Sequence, residues 1–497
     1  MIEPKKYQVE VVDKFLGKEW NIIGDSMGVG KTLEAVLLDL AERKARPDPK
    51  KPYRTLIICQ KGGLSVWKWH LEDQGVSADR ILVIDPRDRA PFDHELALGA
   101  RNYDYYIVHW NVLVRLDHLN TVALGGKRVV WDHVIADEVH LAKNRDALRT
   151  KELKKIRTKK KTGASGTPAD DKPQDFWSVL HWCDSKTYSS YWRFYDTYLN
   201  WHTHPENGYR VVDGVKNMDK FHREIGPNYI RRKLTEVVDD MPPKTRGEIR
   251  VDISARQRKD YDAMHKYQTA QVGEAKQELL VAYKIAMYMR LQQMTLGTVL
   301  EVDWSRYKAF WEKHKDTPVA ALPKRKPTGP DIILGEPSPK LDAVMEKVEE
   351  AMEENENIVV FSQFKAVVNL VEARCLKKKI PVSKYTGAIT SQAVRDAAVA
   401  DFQSKKTRVF AGTIGAAGTT ITLTAAHTLL FTDRAWNPSV NEQAEDRIWR
   451  MNQPNACQIW DIIADDTIDD ERLKKIWKKA RWVHEVVNVP HHLKGLV

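Results

Sequence analysis

The order of apolar runs predicts an α/β protein of two lobes, each a parallel sheet with helices on both faces. Three observations carry this. Short apolar runs alternate with helical periodicity over about the first 170 residues, and the alternation returns after about residue 335. A glycine-rich turn, GDSMGVGKT at 24–32, follows the first such run and opens a helix. The chain has 497 residues, more than one ordinary domain of roughly 100–200 holds.

The elements follow in order. Asn21 to Gly24 leads into the turn, and Leu33, Val36, Leu37 and Leu40 then recur on one helix face. TLIIC (55–59), YYIVH (105–109) and HVIAD (133–137) are strand candidates. Residues 175–300 read mainly as helices and loops, with a charged amphipathic stretch from Arg258 to Tyr267 and Pro242-Pro243 as punctuation. Six prolines between 316 and 339 predict a linker or ordered loop. Leu341, Val344, Met345 and Val348 then share a helix face, and IVVF (358–361), RVFAG (408–412), TLLFT (428–432) and IWDII (459–463) read as strands. The expected division is a first lobe over 1–245 with a helical insertion about 175–225, a helical insertion and linker over 246–334, and a second lobe over 335–497. No repeat of 20–50 residues is evident.

Composition narrows the class. Hydrophobic residues are 42% of the chain, enough for real cores, and no apolar run approaches the roughly 18–20 residues of a membrane span. The opening MIEPKKYQVE lacks the apolar centre of a signal peptide, so a cytoplasmic location is expected. Cys59, Cys183, Cys375 and Cys457 are far apart, which excludes a local zinc site and argues against a disulfide framework. Lys and Arg number 79 against 68 Asp and Glu, and the resulting +11 suits a polyanionic partner. The 16 tryptophans, among them Trp67, Trp131, Trp311 and Trp477, read as core packing more readily than as base-stacking platforms. The run KKIRTKKK (154–161) is either a phosphate track or, more commonly for such a run, a solvated helix face.

Three motifs carry chemistry. In GDSMGVGKT the backbone N–H groups can cradle a phosphate at a helix N-terminus, Lys31 can reach the β- and γ-phosphates, and Thr32 can ligate Mg²⁺. Asp25 stands where the strict GxxxxGK[ST] pattern has glycine. VIADEVH (134–140) ends a strand in Asp137-Glu138, one carboxylate suited to metal and the next to general-base work. Alone, such a pair is more often an ordinary loop start; it gains weight about a hundred residues after a phosphate loop. QAEDRIWR (443–450) places Gln443, Arg447 and Arg450 at i, i+4 and i+7, one face of a helix, where arginines can meet γ-phosphate charge.

In this order the motifs resemble the Swi/Snf-type ATPases of helicase superfamily two, from about Pro4 to Arg472. KKYQ (5–8) resembles the family's adenine-reading start, DSMGVGKT its DEMGLGKT, DEVHLAKN (137–144) its DEAHRIKN, and SGTPADD (165–171) its TGTPLQN. YIRRKLTEVVDDMPPK (229–244) is similar to the bridge between lobes. VFSQF (360–364), YTG (385–387), TLTAAHTLLFTDRAWNPS (422–439) and QAEDRIWRMNQ (443–453) complete the set, the last two nearest the annealing-helicase branch. Ser26 stands for the usual glutamate, Val139 for alanine, Trp449 for histidine, Asn452 for glycine and His109-Trp110 for Thr-Tyr, and AAGTTIT (416–422) is loose against AGGLGIN.

The resemblance implies two RecA-like lobes sharing one ATP site and a motor on double-stranded DNA. It implies nucleotide contacts from Gln8, Asp25, Ser26, Met27, Gly28, Val29, Gly30, Lys31 and Thr32, with Mg²⁺ on Thr32 and Asp137. Lys31, Glu138, Arg447 and Arg450 would be catalytic, and His140, Ser165, Gly166, Thr167 and Gln443 would couple ATP state to lobe closure. DNA contacts are expected from Lys61, Ser362, Gln363, Thr386, Gly387 and Thr413. A strand-separating DNA or RNA helicase, an inactive nucleic-acid-binding module and an unrelated P-loop enzyme are the alternatives. The chain starts almost at its first motif and ends soon after its last, without a chromatin-reading or nuclease candidate, a build expected of a viral or prokaryotic member.

Overall fold

The apolar runs pair as parallel strands in the computed structural model of the chain. The structure describes residues 2–488 except 47, 49, 85–93, 95–101, 114–128, 206–207, 239, 273–276, 281–283, 319–321, 324–326, 328 and 418–420. Two compact units result: Met1–Met241 with Asn437–Ser439 and Trp477–Val497, and Pro242–Trp436 with Val440–Ile476.

The first unit is built on seven strands: β1 (Trp20–Ile23), β2 (Thr55–Cys59), β3 (Ile81–Val83), β4 (Tyr105–His109), β5 (Trp131–Asp137), β6 (Thr158–Ala164) and, after a hairpin, β9 (Tyr229–Ile230). They lie in the order β3-β4-β2-β5-β6-β1-β9, and every pair is parallel. A parallel sheet covered on both faces selects continuous apolar strands, and all five residues of β2 are buried. Helix α1 (Lys6–Phe15) contributes Val11 and Phe15, and helix α2 (Lys31–Ala45) Ala35, Val36 and Leu38, to a core that includes Ile57, Ile107 and Ile135. A buried polar cluster fixes the far end of α2. Asp39 accepts from Arg43 Nε (2.9 Å), Thr55 Oγ1 (2.7 Å) and Tyr105 Oη (2.8 Å), and lies 2.7 Å from His133 Nδ1. The helix that starts at the glycine-rich turn is therefore anchored to the sheet at both ends.

The second unit carries six strands: β10 (Lys244–Val251), β15 (Asn357–Ser362), β16 (Val382–Tyr385), β17 (Val409–Thr413), β18 (Ala426–Phe431) and β19 (Cys457–Ala464). They run β10-β19-β18-β15-β17-β16, again all parallel. Helix α3 (Pro339–Glu353) buries Leu341, Val344, Met345 and Val348, the face read from the sequence.

Several expectations are corrected. Residues 175–300 are mainly helix and loop, as expected, but strands are set among them. They hold the hairpin β7 (Leu199–Thr203) with β8 (Arg210–Val215), strand β10, and β11 (Thr269–Val272) with β12 (Gln277–Leu280). β13 (Thr298–Asp303) closes that range and pairs with β14 (Asp331–Gly335), which lies inside the proline-rich stretch. β10 alternates exposed and half-buried residues at a sheet edge, so it lacks the apolar run that marks a strand. The units part at 241/242, not 245, and residues 477–497 belong to the first unit, where Val483, Val486 and Val487 join its core. Lys154 and Lys155 end a helix (Leu148–Lys155), whereas Lys159–Lys161 lie on β6. Lys159 pairs with Asp132 (2.7 Å), Lys160 with Glu42 (2.7 Å), and Lys161 donates to the Trp182 carbonyl (2.7 Å). All four cysteines are buried and free, and Trp67 and Trp131 are core residues. Among the described residues no helix is long and apolar enough to cross a membrane.

Candidate ATP site and arginine turn

The first unit gathers the phosphate loop at the C-terminal edge of its sheet. β1 ends at Ile23, α2 starts at Lys31, and Gly28 (φ +83°) and Gly30 (φ +101°) adopt the left-handed backbone that glycine takes without strain. A Cβ on Gly30 would lie 2.5 Å from Gln8 Nε2. The free N–H groups at the start of α2 make this end an anion site. Lys31 Nζ donates to the carbonyls of Asp25 (2.9 Å) and Ser26 (3.1 Å), so the ammonium is held over the loop itself. Thr32 is half-buried one residue on.

Asp25 does not offer its side chain to a nucleotide. Its buried carboxylate accepts from the Arg232 backbone N–H and from Arg232 Nε, each at 2.8 Å. Arg232 Nη2 also donates to buried Glu34 at 2.7 Å. Burial, then the adjacent Asp25, push the Glu34 carboxyl up to about 9, so it carries a proton at neutral pH. Gln8 is likewise engaged: Oε1 accepts from the Lys5 N–H (3.1 Å) and Nε2 donates to the Val29 carbonyl (3.3 Å). Its amide thus contacts the loop directly.

The acidic pair sits at the end of β5. Asp137 Oδ2 accepts from Trp67 Nε1 (2.9 Å), Oδ1 accepts from the Glu138 N–H (2.9 Å), and the Asp137 carbonyl accepts from Trp110 Nε1 (2.8 Å). Burial, then the Glu138 charge, raise the Asp137 carboxyl to about 6. Glu138 takes φ +50°, an uncommon left-handed conformation for a non-glycine residue, which turns the chain sharply behind the metal-suited aspartate. His140 Nδ1 lies 3.1 Å from Glu138 Oε2 and 2.9 Å from Ser165 Oγ. Burial lowers the imidazole's proton affinity, and the Glu138 contact outweighs it, so the pKa is raised. Ser165 Oγ also accepts from the Thr167 N–H (3.1 Å), and a Cβ on Gly166 would meet Met27 Cγ at 3.1 Å and Lys31 Nζ at 3.5 Å. His140, Ser165, Gly166 and Thr167 thus converge on the loop and the acidic pair.

In the second unit the helix expected over QAEDRIWR is shorter. Helix α4 (Pro438–Glu445) ends before both arginines, which lie on consecutive turns instead of one helix face. Arg447 is buried and donates to the carbonyls of Gln443 (2.9 Å) and Ile421 (3.3 Å), while Arg450 donates to the Asp446 carbonyl (2.9 Å) and Thr422 Oγ1 (2.6 Å). Glu445 anchors the turn, accepting from Arg434 Nη1 (2.9 Å) and Arg246 Nη2 (2.6 Å), with Lys244 Nζ at 3.3 Å. Burial penalises its charge, yet Arg434, Lys244 and Arg246 together hold the carboxyl down at about 2. Trp449 donates its indole N–H to the Pro242 carbonyl (2.8 Å) under the Lys244 ammonium.

The expected DNA-contacting residues divide. Lys61 and Gly387 are exposed and Thr413 is half-buried. Ser362 and Thr386 are buried to 1% exposure, and the Ser362 hydroxyl donates to Asp433. Gln363 is occupied as well, donating to Asp433 (3.1 Å) and the Arg434 carbonyl (2.8 Å). The segment AAGTTIT falls partly outside the described residues. Residue patterns did not mark Trp67, Trp110 or Glu34 as parts of the site. Arg231, Arg232 and Lys244 lay inside the quoted bridge motif, without a sign that they touch either motif.

A phosphate loop on a strand–turn–helix, with an acidic pair two strands away on the same parallel sheet, defines a P-loop nucleotide-binding α/β protein. The family model SNF2-related domain matches residues 7–296, and the Helicase conserved C-terminal domain matches 339–452. The chain belongs to the SNF2-related family. It is 25% identical to YwqA of Bacillus subtilis, over 90% of this chain and 44% of that protein. It is 23% identical to the ISWI chromatin-remodeling complex ATPase ISW1 of Saccharomyces cerevisiae, over 96% and 40%. The chain spans less than half the length of these relatives. A solved structure, the Sulfolobus solfataricus SWI2/SNF2 ATPase core in complex with dsDNA, is 20% identical over 98% of each chain, with a TM-score of 0.41.

Proposed function

We propose that the chain is an ATP-driven motor that moves along double-stranded DNA. The observation that carries this is the convergence of loop, acidic pair and His140–Ser165 contact in a member of the SNF2-related family. The relatives' names support ATP use, ISW1 being a chromatin-remodeling ATPase. The +11 charge supports a phosphate-rich partner, and the likeness of residues 229–244 to the family's bridge supports a duplex.

In this reading the N–H groups at the start of α2 hold the phosphates, and Lys31 leaves its loop carbonyls for the β- and γ-phosphates. Asp25 and Gln8 act by shaping the loop. The Thr32 hydroxyl and Asp137 carboxylate are hard oxygen donors that fit Mg²⁺, which takes one or two protein ligands beside substrate phosphates. Glu138 accepts the proton of the attacking water, and His140 carries its state to Ser165 and the 165–167 turn. Arg447 and Arg450 stabilise charge on the transferred phosphoryl group. Gln443, Lys61, Gly387 and Thr413 remain candidates for coupling and strand contact.

The test is ATPase rate with double-stranded DNA, single-stranded DNA or RNA, paired with two movement assays. Duplex should stimulate most, with little sequence preference and a steep fall as salt rises. The chain should displace a third strand from a triplex and leave a plain fork closed. Fork unwinding without triplex displacement would move it to the strand-separating class; stimulation by RNA equal to that by duplex would remove the DNA assignment.

A further inference from the structure

The segment that leads from the first unit into the second grips a different piece of chemistry at each end. At its start, Arg231 Nη1 donates to the Gly166 carbonyl (2.6 Å) and also to that of Gly24, so one guanidinium joins the phosphate loop to the 165–167 turn. Arg232 holds Asp25 and Glu34 through its fork, and its own carbonyl accepts from the Ser26 N–H at 2.9 Å. At its far end, Lys244 lies 3.3 Å from Glu445 and 3.4 Å from Asp446, and Arg246 donates to Glu445 at 2.6 Å. Glu445 and Asp446 directly precede Arg447.

These contacts exceed what a passive tether needs. Each grip is charge-assisted and at least half-buried on the carboxylate side, and each holds a backbone turn whose conformation decides where a functional cation points. Twelve positions separate Arg232 from Lys244 along the chain.

We infer that the two ends of this segment are positioning elements, in which Arg231 and Arg232 set the shape of the phosphate loop and Lys244 and Arg246 set the turn bearing Arg447 and Arg450. The inference rests on the ATPase reading above. Its two ends act on different steps: the loop end controls nucleotide binding, and the turn end controls phosphoryl transfer.

The full chain is tested with two variants that preserve most packing. Arg232→Lys keeps a charge for Asp25 and Glu34 and loses the fork. It should raise KM for ATP and Kd for a fluorescent ADP analogue at least tenfold, with kcat within threefold of wild type. Lys244→Met should lower kcat at least tenfold and leave the analogue's Kd within threefold. Melting temperatures within a few degrees of wild type separate positioning from general destabilisation. Arg231→Leu and Arg246→Gln repeat the test should either first variant fail to fold. Opposite KM and kcat responses at the two ends are the signature. The same response at both ends, or no response in an active protein, overturns the inference alone. A wild-type chain that does not hydrolyse ATP overturns the ATPase reading, and the inference with it.

Discussion

Glu445→Gln tests the anchoring of the arginine turn in energetic terms. The wild-type carboxyl is fully buried and is held at about 2, against an ordinary 4.5, because Arg434, Lys244 and Arg246 outweigh the cost of burial. At about 1.36 kcal/mol per pH unit, that depression corresponds to about 3 kcal/mol of stability at neutral pH. Removing one member of a buried ion pair independently costs about 3–5 kcal/mol, because the partners are left charged and buried. The variant should therefore lose about 3 kcal/mol in the urea unfolding of the second unit at pH 7. Because the folded pKa is depressed, the wild-type advantage is present in full above about 4.5. It is lost as pH falls toward 2, so the gap between wild type and variant should narrow across that window. Turnover should fall too, since the Ile448 N–H bonds the Glu445 carbonyl in the turn between the two arginines. A cost below about 1 kcal/mol at pH 7, or a gap that does not change with pH, would refute the account of Glu445 as the charged anchor.

Other outcomes follow from the first unit and the arginines. Lys31→Ala should abolish both nucleotide affinity and hydrolysis, whereas Glu138→Gln should retain ATP binding and lose turnover; normal hydrolysis by Glu138→Gln would remove it as the base. Arg447→Ala and Arg450→Ala should bind ATP nearly normally with kcat reduced about 10³-fold or more, and a loss in binding alone would reassign them. Trp67→Phe keeps a large ring against the core but removes the donor to Asp137. Loss of such a support typically weakens a metal site about 10–100-fold, so the Mg²⁺ concentration for half-maximal ATPase should rise, and an unchanged Mg²⁺ titration would show the indole bond to be incidental.

The legible part of this protein is the part whose physics is local. β2 and β4 begin and end where TLIIC and YYIVH do, because a parallel strand buried on both faces must be apolar throughout. The phosphate loop is legible because its glycines answer a backbone need and Lys31 follows at fixed spacing. β10 was hidden for the converse reason: at a sheet edge, KTRGEIRV does not need an apolar face. β14 was masked by the prolines around it. Lys160 of β6 defeats composition, since a lysine in such a run reads as solvated until Glu42 is placed beside it in the interior.

The departures from the family pattern acquire meanings of the same nonlocal kind. Asp25, which the family's DEMGLGKT shares, needs a partner, and Arg232 supplies it from 207 positions away in sequence. Burial, then the adjacent Asp25, hold the Glu34 carboxyl up at about 9 beside that pair. Trp110 replaces a tyrosine and bonds the Asp137 carbonyl, while Trp449 replaces a histidine and bonds Pro242 beneath Lys244. In both tryptophan cases a residue that looks like a loss of motif identity donates to a backbone oxygen beside a functional group. The substitutions therefore fall on the supports of the site, while Lys31, Thr32, Asp137, Glu138, Arg447 and Arg450 keep the residue types that the chemistry requires. In the ATPase reading such a support can be rebuilt from another donor, whereas the ammonium, hydroxyl, carboxylates and guanidinium groups would meet the phosphates and metal themselves.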